Sequence, residues 1–281
     1  TERYHDVMDP LHFSYSLLTR SLRINHENLR LRDEGLVTAV DDMIANKAEA
    51  QTGIPRAEFS RGGVTPPPIF TPYKLREMVL ENRIMVSPMC MYSADDGLIG
   101  DWHLVHIGSR AMGGAGLIMA ESTAVSADGR ISPGDSGLYD EKHVKAWRRV
   151  TDFVHESSYA KIGVQLSHAG RKASTRLQWE GGDTTPLENE ADNWPIMAAS
   201  PIPYSPANAT PVEMSRDDMD QVISEFVTAA GLAQDAGFDM IELHCAHGYL
   251  LNSFLSPKTN TRTDEYGGKM DNRLKFPIEV F

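Results

Sequence analysis

The sequence predicts an α/β protein, a TIM-type (β/α)8 barrel that is truncated after about four β/α units and preceded by a helical N-terminal segment. Two observations support this fold class. From about residue 66, short continuous apolar strands alternate with amphipathic helices, a pattern typical of a parallel sheet covered by helices. Each predicted strand also has a chemically reactive residue at or just past its carboxyl end, and parallel barrels build their active sites from these positions.

Residues 1–65 differ in composition from the rest of the chain. Up to about residue 50 the chain is polar, and its apolar residues recur at nearly helical spacing without a strand pattern. Residues 51–68 contain glycines and the run Pro66-Pro67-Pro68, which is typical of a linker. We therefore expect two regions, a helical segment with a linker over residues 1–65 and half a barrel over residues 66–281.

The elements of the barrel region follow one another in a regular order. Apolar runs predict strands over residues 84–88, 116–121, 161–166 and 238–244. Helical periodicity predicts helices over residues 103–113, 140–157, 215–237 and from about residue 271 onward. Ser215 and Asp218 form a variant capping box at the start of the third of these helices. A stretch rich in Pro, Asn and Gly, residues 176–212, predicts a long excursion before it.

An open doubly wound sheet contains the same alternation of strands and helices. The reactive residues at the strand ends favour the barrel, because an active site of a barrel draws on those positions. The first predicted strand is also not followed by a G-x-G-x-x-G motif, so a Rossmann dinucleotide site is not expected.

The bulk composition excludes several classes of partner. The chain has 27 basic and 39 acidic residues, a net charge of −12, whereas nucleic acids and anionic membranes require a basic surface. No apolar run approaches the roughly 20 residues of a spanning helix, and the N-terminus does not resemble a signal peptide. The two cysteines, Cys90 and Cys245, form neither a disulfide framework nor a CxxC zinc motif, which indicates a reducing, cytoplasmic setting.

Two histidines and a tyrosine lie at the end of the fourth predicted strand and just past it. His244 and His247 are three residues apart, so their N–H groups can polarise one carbonyl oxygen. Tyr249 is protonated at neutral pH and can deliver a proton. The same residues also fit packed, hydrogen-bonded strand-end side chains. A metal site is a further alternative, because the His-x-x-His spacing recurs at His103 and His106, although neither pair has an apparent third ligand.

Two other segments combine apolar and polar character. Ser87-Pro88-Met89-Cys90-Met91-Tyr92 after the first strand suits the edge of a flat redox-active ring, and it also suits an ordinary core. Gln165 lies in an otherwise apolar strand and needs partners for its amide and its carbonyl. A pyrimidine-like ring edge provides such partners, as does a structural hydrogen bond to the backbone.

Four motifs, in order, resemble the old yellow enzymes, and more narrowly the class with a cysteine beside the flavin. They are Ser87-Pro88-Met89-Cys90-Met91-Tyr92, Gln165-Leu166-Ser167-His168-Ala169-Gly170-Arg171-Lys172, His244-Cys245-Ala246-His247-Gly248-Tyr249-Leu250 and Arg262-Thr263-Asp264-Glu265-Tyr266-Gly267-Gly268. The resemblance extends from about Pro68 to the end of the chain.

The resemblance implies an FMN site and assigns residues to it. Ser87, Pro88, Met89 and Cys90 would line the flavin ring, and the Cys90 sulfur would tune its redox potential. Ser122 lies where the family usually has a small residue against the ring, and Gln165 would bind the pyrimidine edge.

The resemblance also implies a reaction. His244 and His247 would hold the carbonyl or phenolate oxygen of a small-molecule substrate, with Tyr92 nearby, and Tyr249 would be the proton donor. NAD(P)H would reduce the flavin, which would pass hydride to the β-carbon of an activated C=C, an enone or an aromatic acyl-CoA, before Tyr249 protonates the α-carbon. A homo-oligomeric full-length protein is expected.

Two features differ from a free-standing family member. The family's flavin-phosphate site lies in the last units of the barrel, so residues 1–281 alone are expected to bind FMN poorly. Residues 17–21 and 28–33 resemble the end of the FAD monooxygenase domain in fusions of the salicylyl-CoA 5-hydroxylase and 2-aminobenzoyl-CoA monooxygenase/reductase type, which implies FAD in a preceding domain. An ordinary helical extension fits the same residues.

Two functions from other classes also fit the sequence. A metal-dependent barrel hydrolase would use His244 and His247 as ligands. A non-catalytic truncated fragment would explain the missing half of the barrel.

Overall fold

The computed structural model describes residues 67–182 and 192–281. The predicted N-terminal helical segment and most of the linker lie outside these residues. Within them the chain forms five α-helices: α1 (Asp101–Met112), α2 (Glu141–Ser157), α3 (Arg216–Asp235), α4 (Leu250–Leu255) and α5 (Met270–Val280). It also forms eight strands: β1 (Tyr73–Leu75), β2 (Met78–Leu80), β3 (Met85–Val86), β4 (Leu117–Ala124), β5 (Lys161–Ser167), β6 (Met197–Ala198), β7 (Val212–Glu213) and β8 (Met240–Leu243).

The order of the strands in the main sheet is that of the sequence. The sheet runs β3-β4-β5-β8, with parallel pairing of β3 with β4 and of β5 with β8. A doubly wound sheet reverses its strand order at a switch point, whereas a barrel winds in one direction. The observed order therefore agrees with the winding of a barrel and confirms the predicted α/β class.

The residue contacts divide the described chain into two compact units. The first contains the described residues 67–86, 106–118 and 153–161. It holds the antiparallel hairpin β1–β2, in which Tyr73 lies opposite Leu80, and the pairing of β3 with the start of β4. The sequence did not predict this hairpin, because its strands are three residues long and β1 is exposed along its whole length, so there is no apolar alternation to detect.

The second unit contains residues 87–105, 119–152, 162–182 and 192–281 among those described. The core of this unit is formed by the carboxyl part of β4 and by β5, whose Ile162, Val164 and Leu166 are completely buried. Trp147 of α2 is completely buried as well, and its Nε1 donates to the carbonyl of Gly137 (3.2 Å). Burial on both faces explains why these strands appear in the sequence as continuous apolar runs.

The capping box predicted for α3 is confirmed. The Ser215 hydroxyl accepts from the Asp218 N–H, and the Asp218 carboxylate accepts from the Ser215 N–H (2.8 Å). The helix ends at Asp235, and Gly237 adopts a positive φ of 86° in the turn into β8. This turn needs a glycine, because a side chain is strained in the left-handed region.

Other predicted elements are confirmed with shifted ends. The first predicted strand is reduced to β3, because residues 87–88 lie outside the ladder, and the last helix ends at Val280. The excursion predicted over residues 176–212 contains β6, which pairs in parallel with β7 at its end. Helix α4, which begins directly after Tyr249, was not predicted. Among the described helices, none has both the length and the apolar character needed to cross a bilayer.

Candidate active site

The predicted site residues lie in the second unit, where β4, β5 and β8 end. Ser87 to Tyr92 follow β3, Ser122 lies in β4 and Gln165 lies in β5. The two histidines and Tyr249 follow β8. A buried apolar cluster contains Tyr249, and Cys90 and Tyr92 pack against this cluster. The structure therefore brings Tyr249, Cys90 and Tyr92 together from segments far apart in the sequence.

His244 and His247 form a hydrogen-bonded pair. Nδ1 of His247 lies 3.3 Å from Nε2 of His244, and the two rings meet edge to face. Nδ1 of His244 accepts from the Ala246 N–H (3.2 Å), so the single hydrogen of neutral His244 sits on Nε2 and is directed to His247. The hydrogen of His247 is then on its own Nε2. In this arrangement the Nε2–H of His247 is left to donate to a ligand, and His244 donates to Nδ1 of His247.

The environment of His244 favours its neutral form. His244 is 6% exposed, and this burial, together with His247 and Lys172, lowers its pKa to about 4. His247 and Gly248 have positive φ values of 57° and 80°, which turn the chain sharply behind the pair. A residue other than glycine held in this conformation is strained, and such strain is concentrated at functional sites.

Tyr249 lies directly beside this pair. Its ring packs edge-on against His244 with centroids 4.8 Å apart, and the residue is almost completely buried. Tyr249 is the N-cap residue of α4, and its N–H donates to the carbonyl of Ala246 (3.2 Å). The backbone of the turn therefore fixes the position of the tyrosine ring next to the histidines.

Lys172 is a neighbour of this cluster to which sequence reasoning gave no role. It is 7% exposed and ends the 3-10 turn Gly170–Lys172. Its Nζ lies 4.7 Å from the centre of the Tyr249 ring and 4.6 Å from that of Tyr204, and it donates to the carbonyl of His247 (3.4 Å). The residue belongs to one of the four motifs, but its contact with Tyr249 depends on a long-range approach that spacing does not reveal.

Cys90 lies in an acidic environment. Burial raises the pKa of its thiol to about 12, and Asp135 and Glu121 act in the same direction. Burial likewise raises the pKa of Asp135 to about 7, although its carboxylate accepts from the Ile131 N–H and the Ser132 hydroxyl (both 2.8 Å). Cys90 is therefore a thiol at neutral pH.

Glu121 holds the segment after β3 in place. One carboxylate oxygen accepts from the Met91 N–H (2.8 Å), and the other lies 2.8 Å from Nε2 of the fully buried His103. Glu121 is the last residue of the strand that was predicted over residues 116–121. In the structure its carboxylate positions the Met91 backbone, one residue from Cys90.

Tyr92 and Gln165 have partners within the chain. Gln178 donates to the Tyr92 hydroxyl (3.0 Å), and Trp179 packs edge-on against the Tyr92 ring. Gln165 donates one amide hydrogen to Glu242 of β8 (2.5 Å). Glu242 thus accepts a hydrogen bond that was expected to go to the edge of a pyrimidine-like ring. The carbonyl and the second amide hydrogen of Gln165 make no hydrogen bond within residues 67–182 and 192–281.

The residues expected to line a flat ring differ in their exposure to solvent. Ser87 and Met89 are exposed at the end of β3, and the apolar Met89 side chain is 43% exposed. Ser122 is buried, and its hydroxyl is hydrogen-bonded to Ser167 (2.6 Å). An exposed methionine beside a half-buried thiol and a partly satisfied glutamine fits the apolar face and the polar edge of an isoalloxazine ring.

The metal interpretation gains nothing from this geometry. In the described part of the chain, one group of three donors is close enough to hold an ion: Asp128, His168 and Glu225. It includes neither His244 nor His247. Moreover, Nδ1 of His168 accepts from the Gly170 N–H (3.1 Å), so Nε2 carries the hydrogen of the neutral ring and has no lone pair for a metal.

The polar cluster lies at the carboxyl ends of parallel strands, which is where barrel enzymes have their active sites. Residues 68–281 match the model of the NADH:flavin oxidoreductase / NADH oxidase family. The chain belongs to this family. The match confirms the predicted resemblance to this family.

Curated relatives agree with this assignment. The chain is 46% identical over 214 residues to an NADPH dehydrogenase of Geobacillus sp. (strain WCH70), covering 75% of this chain and 58% of the relative. It is 44% identical over 215 residues to an NADH:flavin oxidoreductase of Gibberella zeae, covering 75% of this chain and 52% of that protein. The chain thus spans little more than half the length of these relatives.

Solved structures show the same fold. Morphinone reductase superposes with a TM-score of 0.67 at 30% identity, covering 79% of this chain and 58% of its own. An old yellow enzyme from Pichia sp. AKU4542 superposes with a TM-score of 0.66 at 30% identity, covering 76% of this chain and 55% of its own. The predicted fusion to a monooxygenase concerns residues outside the family match and stays a prediction.

Proposed function

We propose that this chain supplies the ring-facing and substrate-facing residues of an FMN-dependent oxidoreductase that uses NAD(P)H to reduce an activated C=C. The observation that carries this proposal is the contact of Tyr249 with His244, 4.8 Å between ring centroids, beside the cluster against which Cys90 and Tyr92 pack. The proposed proton donor Tyr249, an imidazole that can bind the substrate oxygen and the thiol proposed to face the flavin thus share one site.

In this proposal Ser87, Pro88, Met89 and Cys90 face the flavin ring, Ser122 lies against it and Gln165 binds its pyrimidine edge. Exposed Met89 and the unused carbonyl of Gln165 support the assignment. Bound FMN supplies hydride transfer, and the protein supplies position and polarity.

The chain's own residues handle the substrate oxygen and the proton. His247 donates its Nε2–H to the carbonyl oxygen, and His244 fixes the tautomer of His247. Polarising the carbonyl makes the β-carbon a better hydride acceptor. The Tyr249 hydroxyl then gives its proton to the α-carbon and is left as a phenolate, so one hydride and one proton complete the reduction.

The finer assignments rest on the resemblance alone. We propose enone or aromatic acyl-CoA substrates, a homo-oligomeric full-length protein in the cytoplasm, and an FAD monooxygenase end over residues 1–65. The free thiols Cys90 and Cys245 are compatible with a reducing compartment. FAD bound to the longer protein, in addition to FMN, would support the fusion.

The two half-reactions of the FMN-loaded protein that contains this chain test the proposal. Tyr249→Phe is expected to slow reduction of an enone by about 100-fold or more, because general acid catalysis typically contributes that much. Reduction of the flavin by NAD(P)H should remain within about twofold of the parent, since hydride transfer to the flavin needs no proton from Tyr249. Tyr159→Phe, at a highly exposed tyrosine, is the matched control.

Two outcomes contradict the proposal. Absence of flavin absorbance after reconstitution with FMN removes the whole function. Equal losses in both half-reactions of Tyr249→Phe remove Tyr249 from the role of proton donor.

A further inference from the structure

The ammonium group of Lys172 lies close to two aromatic rings. Nζ lies within 5 Å of the ring centres of both Tyr249 (4.7 Å) and Tyr204 (4.6 Å), while 7% of the residue is exposed. Lysine is rarely buried to this extent unless its charge is compensated. A desolvated ammonium over an aromatic face gains more from the contact than an exposed one.

The same ammonium is attached to the turn that carries the substrate-facing residues. Nζ donates to the carbonyl of His247, the residue with positive φ at which the turn begins. It also contacts the ring of Tyr249, at which the turn ends. A second link is the hydrogen bond from the Leu250 N–H to the carbonyl of His168 (3.0 Å). Lys172 is therefore held against both ends of the turn over residues 247–249.

The position of the charge matters for the proton transfer. When Tyr249 gives up its proton, negative charge develops on its oxygen in a buried environment, where an uncompensated charge is costly. A lysine ammonium at this ring opposes that cost through Coulomb attraction, which is stronger in a medium of low dielectric constant than in water. The same charge also disfavours protonation of His244, which keeps that imidazole neutral.

We propose that Lys172 is a positioning residue for Tyr249: its ammonium fixes the tyrosine ring beside His244 and stabilises the phenolate that remains after proton donation. This inference rests on the proposed function, because it assigns Lys172 a part in the same proton transfer. Lys172 acts through Tyr249 and the His247 carbonyl, and no contact of Lys172 with substrate is required.

The test uses the FMN-loaded protein that contains this chain. Lys172→Met keeps the length and the apolar stem and removes the charge, and we expect a loss of about tenfold in the rate of enone reduction. Lys172→Arg keeps the charge and should recover most of the rate. Lys145→Met, at an exposed lysine of α2, is the control for a general effect of charge. If Lys172→Met does not retain flavin, Lys172→Gln takes its place.

Two further readouts separate positioning from a merely structural role. The pH dependence of enone reduction should move to higher pH in Lys172→Met, because loss of the cation disfavours the phenolate. In a Tyr249→Phe background, Lys172→Met should add less than about twofold, because the interaction partner is already gone. An unchanged pH profile, or full additivity of the two substitutions, would overturn the inference.

The inference and the proposed function can fail separately. If the parent protein reduces no enone with bound flavin, the proposed function fails. If the parent does so and Lys172→Met has the rate of the parent, the inference alone fails.

Discussion

Nδ1 of His247 lies 3.3 Å from Nε2 of His244, so the two imidazoles are arranged in series. The Ala246 N–H is donated to His244, the His244 N–H is directed to His247, and the His247 N–H points outward. The spacing of the two histidines alone predicted two equivalent donors to one oxygen. The series arrangement instead makes the two positions unequal.

We therefore expect unequal effects of substitution on the binding of a phenolic ligand to the flavin-loaded protein. His247→Ala should weaken binding about tenfold, the cost of one hydrogen bond to a polar ligand atom. His244→Gln should weaken it less, because the amide can still donate to Nδ1 of His247. Titration of the flavin absorbance measures both affinities. Equal losses would show that both rings donate directly to the ligand oxygen.

The thiol of Cys90 should react slowly with alkylating agents while the protein is folded. Its pKa is raised to about 12 by burial and by nearby carboxylates, and the thiolate is the reactive form. In a Cys245→Ala background, alkylation by iodoacetamide at pH 8 should be about a thousandfold slower than in the same protein unfolded in urea. Rapid alkylation of the folded protein would show that Cys90 is a thiolate.

Asp135 should make the folded protein less stable as the pH rises. Its carboxyl is buried, and its pKa is raised from 3.8 to about 7. Between these two values the folded state holds a proton that the unfolded state has released, so the free energy of unfolding falls with increasing pH through this window. Below about pH 4 both states are protonated, and the effect disappears.

Urea unfolding at pH 4 and pH 7 measures this dependence. Asp135→Asn cannot titrate, so its stability relative to the parent should improve from pH 4 to pH 7, by no more than about 4 kcal/mol. Asp152→Asn, at an exposed position of α2, is the control. A constant difference between parent and Asp135→Asn over this range would contradict a raised pKa of Asp135.

The sequence predicted those parts of the fold that depend on local pattern. Strands β4 and β5 were recognisable because both of their faces are buried, and α2 because one face carries Val144, Trp147 and Val150. The hairpin β1–β2 has no such signal, since β1 is exposed along its length. Helix α4 has six residues and follows directly on the turn at Tyr249, so it is too short for helical periodicity to be detected.

The sequence predicted which residues form the site. It did not predict the contacts between site residues that are far apart in the sequence. Tyr249, His244 and His247 were recognisable because they lie close together in the sequence after one strand. The contact of Gln165 with Glu242 joins residues 77 positions apart. The contact of Lys172 with the carbonyl of His247 joins residues 75 positions apart. Such contacts depend on the register of β5 against β8, where Gln165 lies opposite Glu242, and a single sequence does not contain that register.

The capping box at the start of α3 gives the clearest stability prediction. The Ser215 hydroxyl accepts from the Asp218 N–H, which otherwise has no partner within the helix. Ser215→Ala should lower the free energy of unfolding by about 1 kcal/mol, measured by urea titration at pH 7. Ser224→Ala is the matched control, because Ser224 is exposed in the middle of the same helix and alanine is the better helix former there.

The two serine substitutions should therefore have opposite signs. Ser224→Ala should raise the free energy of unfolding by about 0.5 kcal/mol or less, while Ser215→Ala lowers it. The capping box lies at the start of α3, whereas the turn at Gly237 into β8 follows its other end. Loosening of the first turn of α3 should therefore leave the position of His244 unchanged and affect stability alone. If Ser215→Ala and Ser224→Ala change stability equally, the hydrogen bonds of the capping box contribute nothing to the folded state.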